Sequence, residues 1–161
     1  MAKISKVLEV NNCNDEKLFQ ALYKPEFWEA INPAKKMEAK FTAPNVLYTK
    51  IYDEIDVVKI PIEMEGELLL ADKGEDEGKG RLIEFNVRNN KDIRELEGRL
   101  RIKPLSPTKS KLGVFVETFI LSSEFLNLLG GGADLILQRK ISEMLRNVEK
   151  YCKTKDLQDF L

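Results

Sequence analysis

A series of strand-like segments closed by one long amphipathic helix constrains this chain more than any other feature of its sequence. Apolar residues at Ala133, Ile136, Leu137, Ile141, Met144, Leu145, Val148, Tyr151 and Cys152 fall at steps of three and four, the spacing of one face of an α-helix. They predict a helix over residues 133–153, the one long helical pattern present. A helix of that length is roughly 30 Å long, enough to cross a small domain. Upstream of it the apolar period changes to two. Strands in sequence, followed by a helix that packs on them, define an α+β domain with an antiparallel sheet. One helix laid on a long sheet also leaves room for a cavity that would hold an apolar ligand.

The first segments are short. Residues 4–10 are β-prone. Asn14 has the chemistry of a helix N-cap, with Asp15 and Glu16 in the first turn, where the helix dipole favours acids. Leu18, Phe19 and Leu22 give that helix an apolar side. Pro25 opens a second short helix at a position where proline is tolerated; Phe27, Trp28 and Ile31 form its buried face and Pro33 ends it.

About six strands follow. Met37, Ala39 and Phe41 alternate with Glu38, Lys40 and Thr42, and Pro44-Asn45 turns the chain. Residues 46–55 are rich in β-branched and aromatic side chains. Ile60, Ile62, Met64, Gly66 and Leu68 alternate with Glu63, Glu65 and Glu67. Residues 72–80, acidic and glycine-rich, are expected as a solvated hairpin loop, 81–88 as a strand, and 89–92 as its turn. Over 93–103, Leu96, Gly98, Leu100 and Ile102 face one way, and Glu95, Glu97, Arg99, Arg101 and Lys103 the other, so one side of the sheet is dry and the other wet. Residues 104–110 turn the chain. The last strand, 111–122, is apolar on both faces through Val114, Phe115, Val116 and Phe119, which places it centrally or under cover.

The bulk numbers exclude more than they identify. The chain has 161 residues, 43% of them apolar and 33% charged, with a net charge of −1. That is the size of one domain, expected over 1–161. The charge balance, with no basic run or basic helix face, gives no reason to expect nucleic acid or an anionic membrane as partner. There is no histidine, which removes imidazole acid–base chemistry, Ser–His and Cys–His dyads and most zinc sites. Asp72, Glu75, Asp76 and Glu77 lack the spacing of a calcium loop. No metal and no cofactor are expected. Cys13 and Cys152 fit two buried, reduced thiols of a cytosolic protein; a disulfide between them stays open, since the fold could bring both ends together. Met1-Ala2-Lys3-Ile4-Ser5-Lys6 does not read as an apolar signal segment, and no window has the apolar length that spans a bilayer. A soluble, cytoplasmic protein without stable membrane insertion is expected. Abundant Lys and Glu with little Gln lean towards a thermophile, against which the asparagines weigh.

The order strand, two helices, six strands, long helix resembles the START-like helix-grip (SRPBCC-type) superfamily, which includes the birch-pollen-type allergens, steroidogenic lipid-transfer domains, polyketide cyclases and a chaperone activator domain. The resemblance spans about residues 3–153. Leu22-Tyr23-Lys24-Pro25-Glu26-Phe27-Trp28 looks like the family's helix-turn-helix, with an aromatic residue early in its second helix. Leu129-Gly130-Gly131-Gly132-Ala133-Asp134-Leu135-Ile136 is similar to the glycine-rich entry to the last helix in the branch that contains one of the carbon monoxide dehydrogenase subunits. The resemblance implies a curved antiparallel seven-stranded sheet wrapped around the long C-terminal helix, β-α-α-β6-α. The short helices would prop that helix, and a cavity would lie between it and the concave sheet. It implies binding or transport of a small hydrophobic ligand, lipid-like or polyketide-like, and no catalytic residues. Two alternatives stand beside it: a protein-interaction, assembly or co-chaperone-like factor, and a cyclase- or lyase-type enzyme working without histidine.

On this reading Met64, Leu68, Phe85, Leu96, Leu100 and Val116 line the cavity from the sheet, and Leu137, Ile141 and Met144 line it from the helix. Tyr48 and Tyr52, on one strand face with Lys50, would anchor a ligand head group if that face points inward and would be surface aromatics if it points outward. One of Glu117 and Thr118 is expected to face the interior. Glu63, Glu65 and Glu67 could pair with Arg99 and Arg101 on the wet face. Phe125, Leu126, Leu128 and Leu129, with Gly130, Gly131 and Gly132, form a candidate lid, with a packed turn and a partner-contact patch over residues 125–132 as the alternatives. The final helix is expected to bury Leu137, Ile141, Met144 and Val148 and to leave Arg139, Glu143 and Asn147 wet.

Overall fold

The computed structural model describes residues 3–55, 60–76, 78–129, 132–155 and 157–161, with the side chains of Ile55, Asp76, Leu126, Leu128 and Leu129 left aside. Strand β1 (Ile4–Asn11) leads into helices α1 (Asp15–Ala21) and α2 (Pro25–Ile31). Strands β2 (Lys36–Ala43), β3 (Val46–Ile55), β4 (Ile60–Asp76), β5 (Gly80–Arg88), β6 (Ile93–Ser106) and β7 (Lys109–Leu121) follow, then helices α3 (Ser123–Leu129) and α4 (Ala133–Thr154). The strands form one seven-stranded sheet in the order β1-β7-β6-β5-β4-β3-β2, antiparallel throughout. This is the helix-grip arrangement.

Local chemistry sets the element ends. The Asn14 side chain accepts hydrogen bonds from the Glu16 and Lys17 amides at 3.0 and 3.1 Å, capping α1. Pro25 occupies the first turn of α2. The indole of Trp28 donates to the Leu22 carbonyl at 2.7 Å, locking the joint between the two helices. The hairpin expected as a loop over 72–80 is mostly strand: β4 continues to Asp76, with Gly78 and Gly80 at positive φ in the turn. Asp72 drives this extension, because its carboxylate takes the Arg81 guanidinium at 3.0 Å and the Gly74 amide at 2.8 Å. The strands β6 and β7 likewise run past their expected limits to a tight turn at Pro107-Thr108.

Alternation along β6 holds: Leu100 and Ile102 are buried, Leu96 is half-buried, and Glu97 and Arg99 are exposed. Arg101 is half-buried rather than wet. Opposite Glu97 and Gly98 the register slips, because Thr118 and Val116 are their partners and Glu117 is the extra residue of a bulge. The Glu117 carboxylate is exposed and meets Arg99 at 2.6 Å, so it is not an interior acid. Glu63, Glu65 and Glu67 do not reach Arg99, since β5 separates β4 from β6. Their partners are Lys50, Tyr48 and the pair Arg88 and Asn89.

Helix α4 buries Ala133, Ile141, Leu145, Val148 and Cys152. Leu137 and Met144 are half-buried, and Arg139 is exposed. The expectation of a wet Asn147 is corrected: its amide donates to the Ile31 carbonyl at 3.1 Å, fastening α4 to the end of α2. The helix draws closest to β1 and α2. Residues 157–160 add a 3-10 turn in which Leu157 is buried and Phe160 packs 5.3 Å from Phe27 and 4.9 Å from Tyr151. The helical periodicity ends before this turn and does not reveal it. Cys13 and Cys152 are both buried in the core.

A methyl group at Gly98 would overlap the Phe115 carbonyl oxygen and lie 2.7 Å from the Phe85 ring. Gly98→Ala is therefore expected to cost about 1–3 kcal/mol or more. Urea unfolding checks this, with a lowered midpoint at unchanged slope as the expected outcome.

Candidate functional site

Register defines the concave face. Leu47, Thr49, Ile51 and Asp53 on β3 share a face with Ile62, Met64, Gly66 and Leu68 on β4, because these residues pair directly. On β2 the same face carries Met37, Ala39 and Phe41, and on β5 it carries Ile83, Phe85 and Val87. On β6 and β7 it carries Leu100, Ile102, Leu112, Val114 and Val116.

This face is dry at one end and accessible at the other. Leu47, Leu70, Ile83, Leu100 and Ile102 are each 4% exposed or less, packed with Leu18, Phe27 and Val148. Towards the end of the sheet near α3, Met64, Leu68, Val87 and Leu96 are half-buried, as are Leu137 and Met144 on α4. A smaller apolar cluster of Leu121, Phe125 and Ala133 has Ile62, Met64, Ile93 and Phe119 packed against it.

Of the wall residues expected from sequence, eight fall in or against the main apolar cluster, and Met64 packs against the smaller one. Phe85, Leu100, Val116 and Ile141 belong to the packed core, while Met64, Leu68, Leu96, Leu137 and Met144 are the half-buried ones. Tyr48 and Tyr52 are a correction. They point to the convex face, one residue out of phase with Leu47 and Ile51. There the Tyr48 hydroxyl donates to Glu65 at 2.6 Å, and Lys36 and Lys50 flank the Tyr52 ring. The bond to Glu65 raises the Tyr48 pKa, and Lys50 is raised by its bond to the Tyr52 hydroxyl and then by Glu63. Neither tyrosine is placed to meet a ligand on the inner face.

Of the candidate lid, Phe125 is buried, and the carbonyl of Gly132 accepts from the Ile136 amide in the first turn of α4. The side chains of Leu126, Leu128 and Leu129, and the whole of Gly130 and Gly131, lie outside the described residues.

Side chains that carry no motif in the sequence complete the site. Lys140 of α4 meets Asp53 at 2.7 Å and donates to the Pro33 carbonyl at 3.3 Å, with Asp53 only 10% exposed. This pair straps the helix to β3. Asn90, in the β5–β6 turn, accepts from the Asp92 and Ile93 amides, each at 2.9 Å. Its side chain lies against Gly66, where an added Cβ would fall 2.8 Å from the Asn90 Cβ and 2.9 Å from its Nδ2. The one sequence signal for this contact was a glycine where Met64 and Leu68 predict a large apolar residue. On the convex side, Glu67 accepts from Asn89 and Arg88 and so holds the residues that lead into Asn90. Those bonds, Asn89 first, lower its pKa.

A separate, open cleft of about 790 Å³ lies between α1, the β2–β3 turn and the far part of β4, lined by Phe19, Gln20, Tyr23, Lys24, Asn45, Leu70, Ala71, Asp72 and Leu161. The principal cavity was expected between α4 and the sheet, yet none of the expected wall residues lines this cleft. From Met64 to Leu70 along β4 is roughly 20 Å. Arg81 stacks 4.0 Å from the Phe19 ring at its edge, and burial, then Asp72, raises the Tyr23 pKa.

Two substitutions test this geometry. Gly66→Ala is expected to displace Asn90, costing about 1–3 kcal/mol and speeding exchange of the Asp92 and Ile93 amides. Glu67 has a folded pKa below the ordinary value of 4.5, so its contribution is present above that value and lost as pH falls through the lowered one. Thermal melts from neutral pH down to about pH 3 should therefore show Glu67→Gln less stable than wild type at neutral pH, with the gap closing in acid.

No family model matches the chain, and no curated protein matches it. Solved structures do. A protein of Thermus thermophilus superposes with a TM-score of 0.68 at 12% identity, over 95% of this chain and 98% of the other. The aromatase/cyclase Zhui from a Streptomyces species gives 0.66 at 11% identity, over 94% and 93%. A START superfamily protein from Mycobacterium smegmatis gives 0.64 at 17% identity, over 94% and 97%. At such identities the likeness establishes the START-like helix-grip fold.

Proposed function

We propose that this helix-grip domain binds a small hydrophobic molecule, lipid-like or polyketide-like, between α4 and the concave sheet. One observation carries the reading: apolar side chains of the concave sheet and of the helix, Met64, Leu68 and Leu96 with Leu137 and Met144, stay half-buried, as do Met37, Phe41, Ile51, Ile62 and Val87, while Leu47, Leu70, Ile83, Leu100 and Ile102 on the same face are packed dry. Surfaces of that kind gain free energy when an apolar ligand covers them. Met64 and Met144 adapt to irregular shapes. Fold likeness to START and aromatase/cyclase structures supports the reading. Binding without chemistry is preferred to a cyclase, because Asp53 and Lys140, charged groups at the inner face, are bonded to each other and to the backbone. Neither is poised as an acid or base.

Native mass spectrometry of gently purified protein should show a retained apolar molecule, and fluorescent fatty acids should bind the emptied protein. Met144→Trp, which fills the wall, should weaken that binding by about tenfold or more, a loss of ~1.4 kcal/mol, with little change in melting temperature. Protein that retains nothing and takes up no such probe would refute the reading.

A further inference from the structure

The side chains of the concave face are not level. Where β2, β3 and β4 pair, they stand in rows that cross the strands. One row is Met37, Ile51 and Met64; another, four residues along each strand, is Phe41, Leu47 and Leu68. Between them runs Ala39, Thr49 and Gly66. Two ridges of large apolar side chains thus flank a row of small ones. The result is a trough across the sheet, two interstrand spacings or roughly 10 Å long.

Asn90 closes the trough at its Gly66 end, since its side chain occupies the space a Cβ on Gly66 would need. The orientation of its amide is fixed. Oδ1 must face the Asp92 and Ile93 amides, which donate to it, so Nδ2 faces the other way. Among the described residues nothing accepts from Nδ2, and the hydroxyl of Thr49, half-buried on the trough floor, has no side-chain hydrogen bond among them either. A neutral hydrogen-bond donor left open beside an apolar trough is matched by a neutral acceptor.

Charge argues the same way. Asp53 lies four residues from Thr49 along β3, roughly 13 Å away, and Lys140 is committed to it and to the Pro33 carbonyl. A carboxylate in the trough would give up its hydration without a cation to replace it.

We infer that the trough holds the body of a narrow, uncharged apolar ligand and that the Asn90 amide donates to a carbonyl at one end of it. This rests on the reading that a hydrophobic molecule occupies the grip, and it names the class: neutral ketones, aldehydes, esters or amides of planar or extended apolar molecules, rather than free acids.

Three fluorescent probes test it: a dimethylaminonaphthalene bearing a propionyl group, the same ring with a propyl group, and the same ring with a carboxylate. The propionyl probe should bind wild-type protein about threefold to tenfold tighter than the propyl probe, with the carboxylate weakest. Asn90→Asp keeps the oxygen that accepts from Asp92 and Ile93 but exchanges the donor for an acceptor. It should abolish the preference, so that the propionyl probe binds the variant no tighter than the propyl probe does. Asn90→Ser, whose hydroxyl also supports such a turn, repeats the test if the Asp variant melts early. Thr49→Leu, filling the trough, should weaken both neutral probes. Equal binding of the two neutral probes to wild type, or a propionyl preference that survives in Asn90→Asp, overturns the anchor and leaves the cavity intact. Binding of neither neutral probe overturns the cavity reading as well.

Discussion

A seven-stranded sheet and a single helix differ in width, and the rest of the structure follows from reconciling them. Six interstrand spacings make the sheet roughly 30 Å across, while a helix with its side chains is about 10–12 Å thick. One helix cannot dry the whole inner face. The chain covers one end with α1, α2 and the turn at residues 157–160, around Leu18, Phe27 and Leu157. Helix α4 crosses from that end towards Leu121 and Phe125. Between them Met64, Leu68 and Leu96 on the sheet and Leu137 and Met144 on the helix are half-buried.

Hydrophobic contact alone would let α4 slide or roll on such a surface, because burial is non-directional. Polar straps remove that freedom. Asn147 is bonded to the end of α2, and Lys140 to Asp53 and the Pro33 carbonyl. Partly buried and backed by further hydrogen bonds, they fix position more than they add stability. The convex face plays the opposite part. Its Lys–Tyr–Glu contacts are exposed and individually weak, yet Glu67, paired with Arg88, accepts from Arg88 and Asn89 and so holds the residues that lead into Asn90.

Fold and function separate cleanly in this protein. The three solved structures named above share its helix-grip fold at 11–17% identity, too remote to transfer a ligand or a reaction.

Element order, the phase of β6, the cap at Asn14, the helix start at Pro25 and the apolar character of the inner face were legible in the sequence. Each depends on short-range periodicity or on the chemistry of one residue. Strand register was not, because it joins residues far apart in the chain, and it decided the rest. It placed Tyr48 and Tyr52 outside, where Lys50 and Glu65 meet them. It set Ala39, Thr49 and Gly66 side by side, and it inserted Glu117 as a bulge opposite Gly98. Asn147 looked like a surface residue by helical phase and became a strap only because α2 ends beside it. Periodicity tells which side of an element is apolar, but the neighbours that bury it, bridge it or leave it open are chosen by packing across the whole chain.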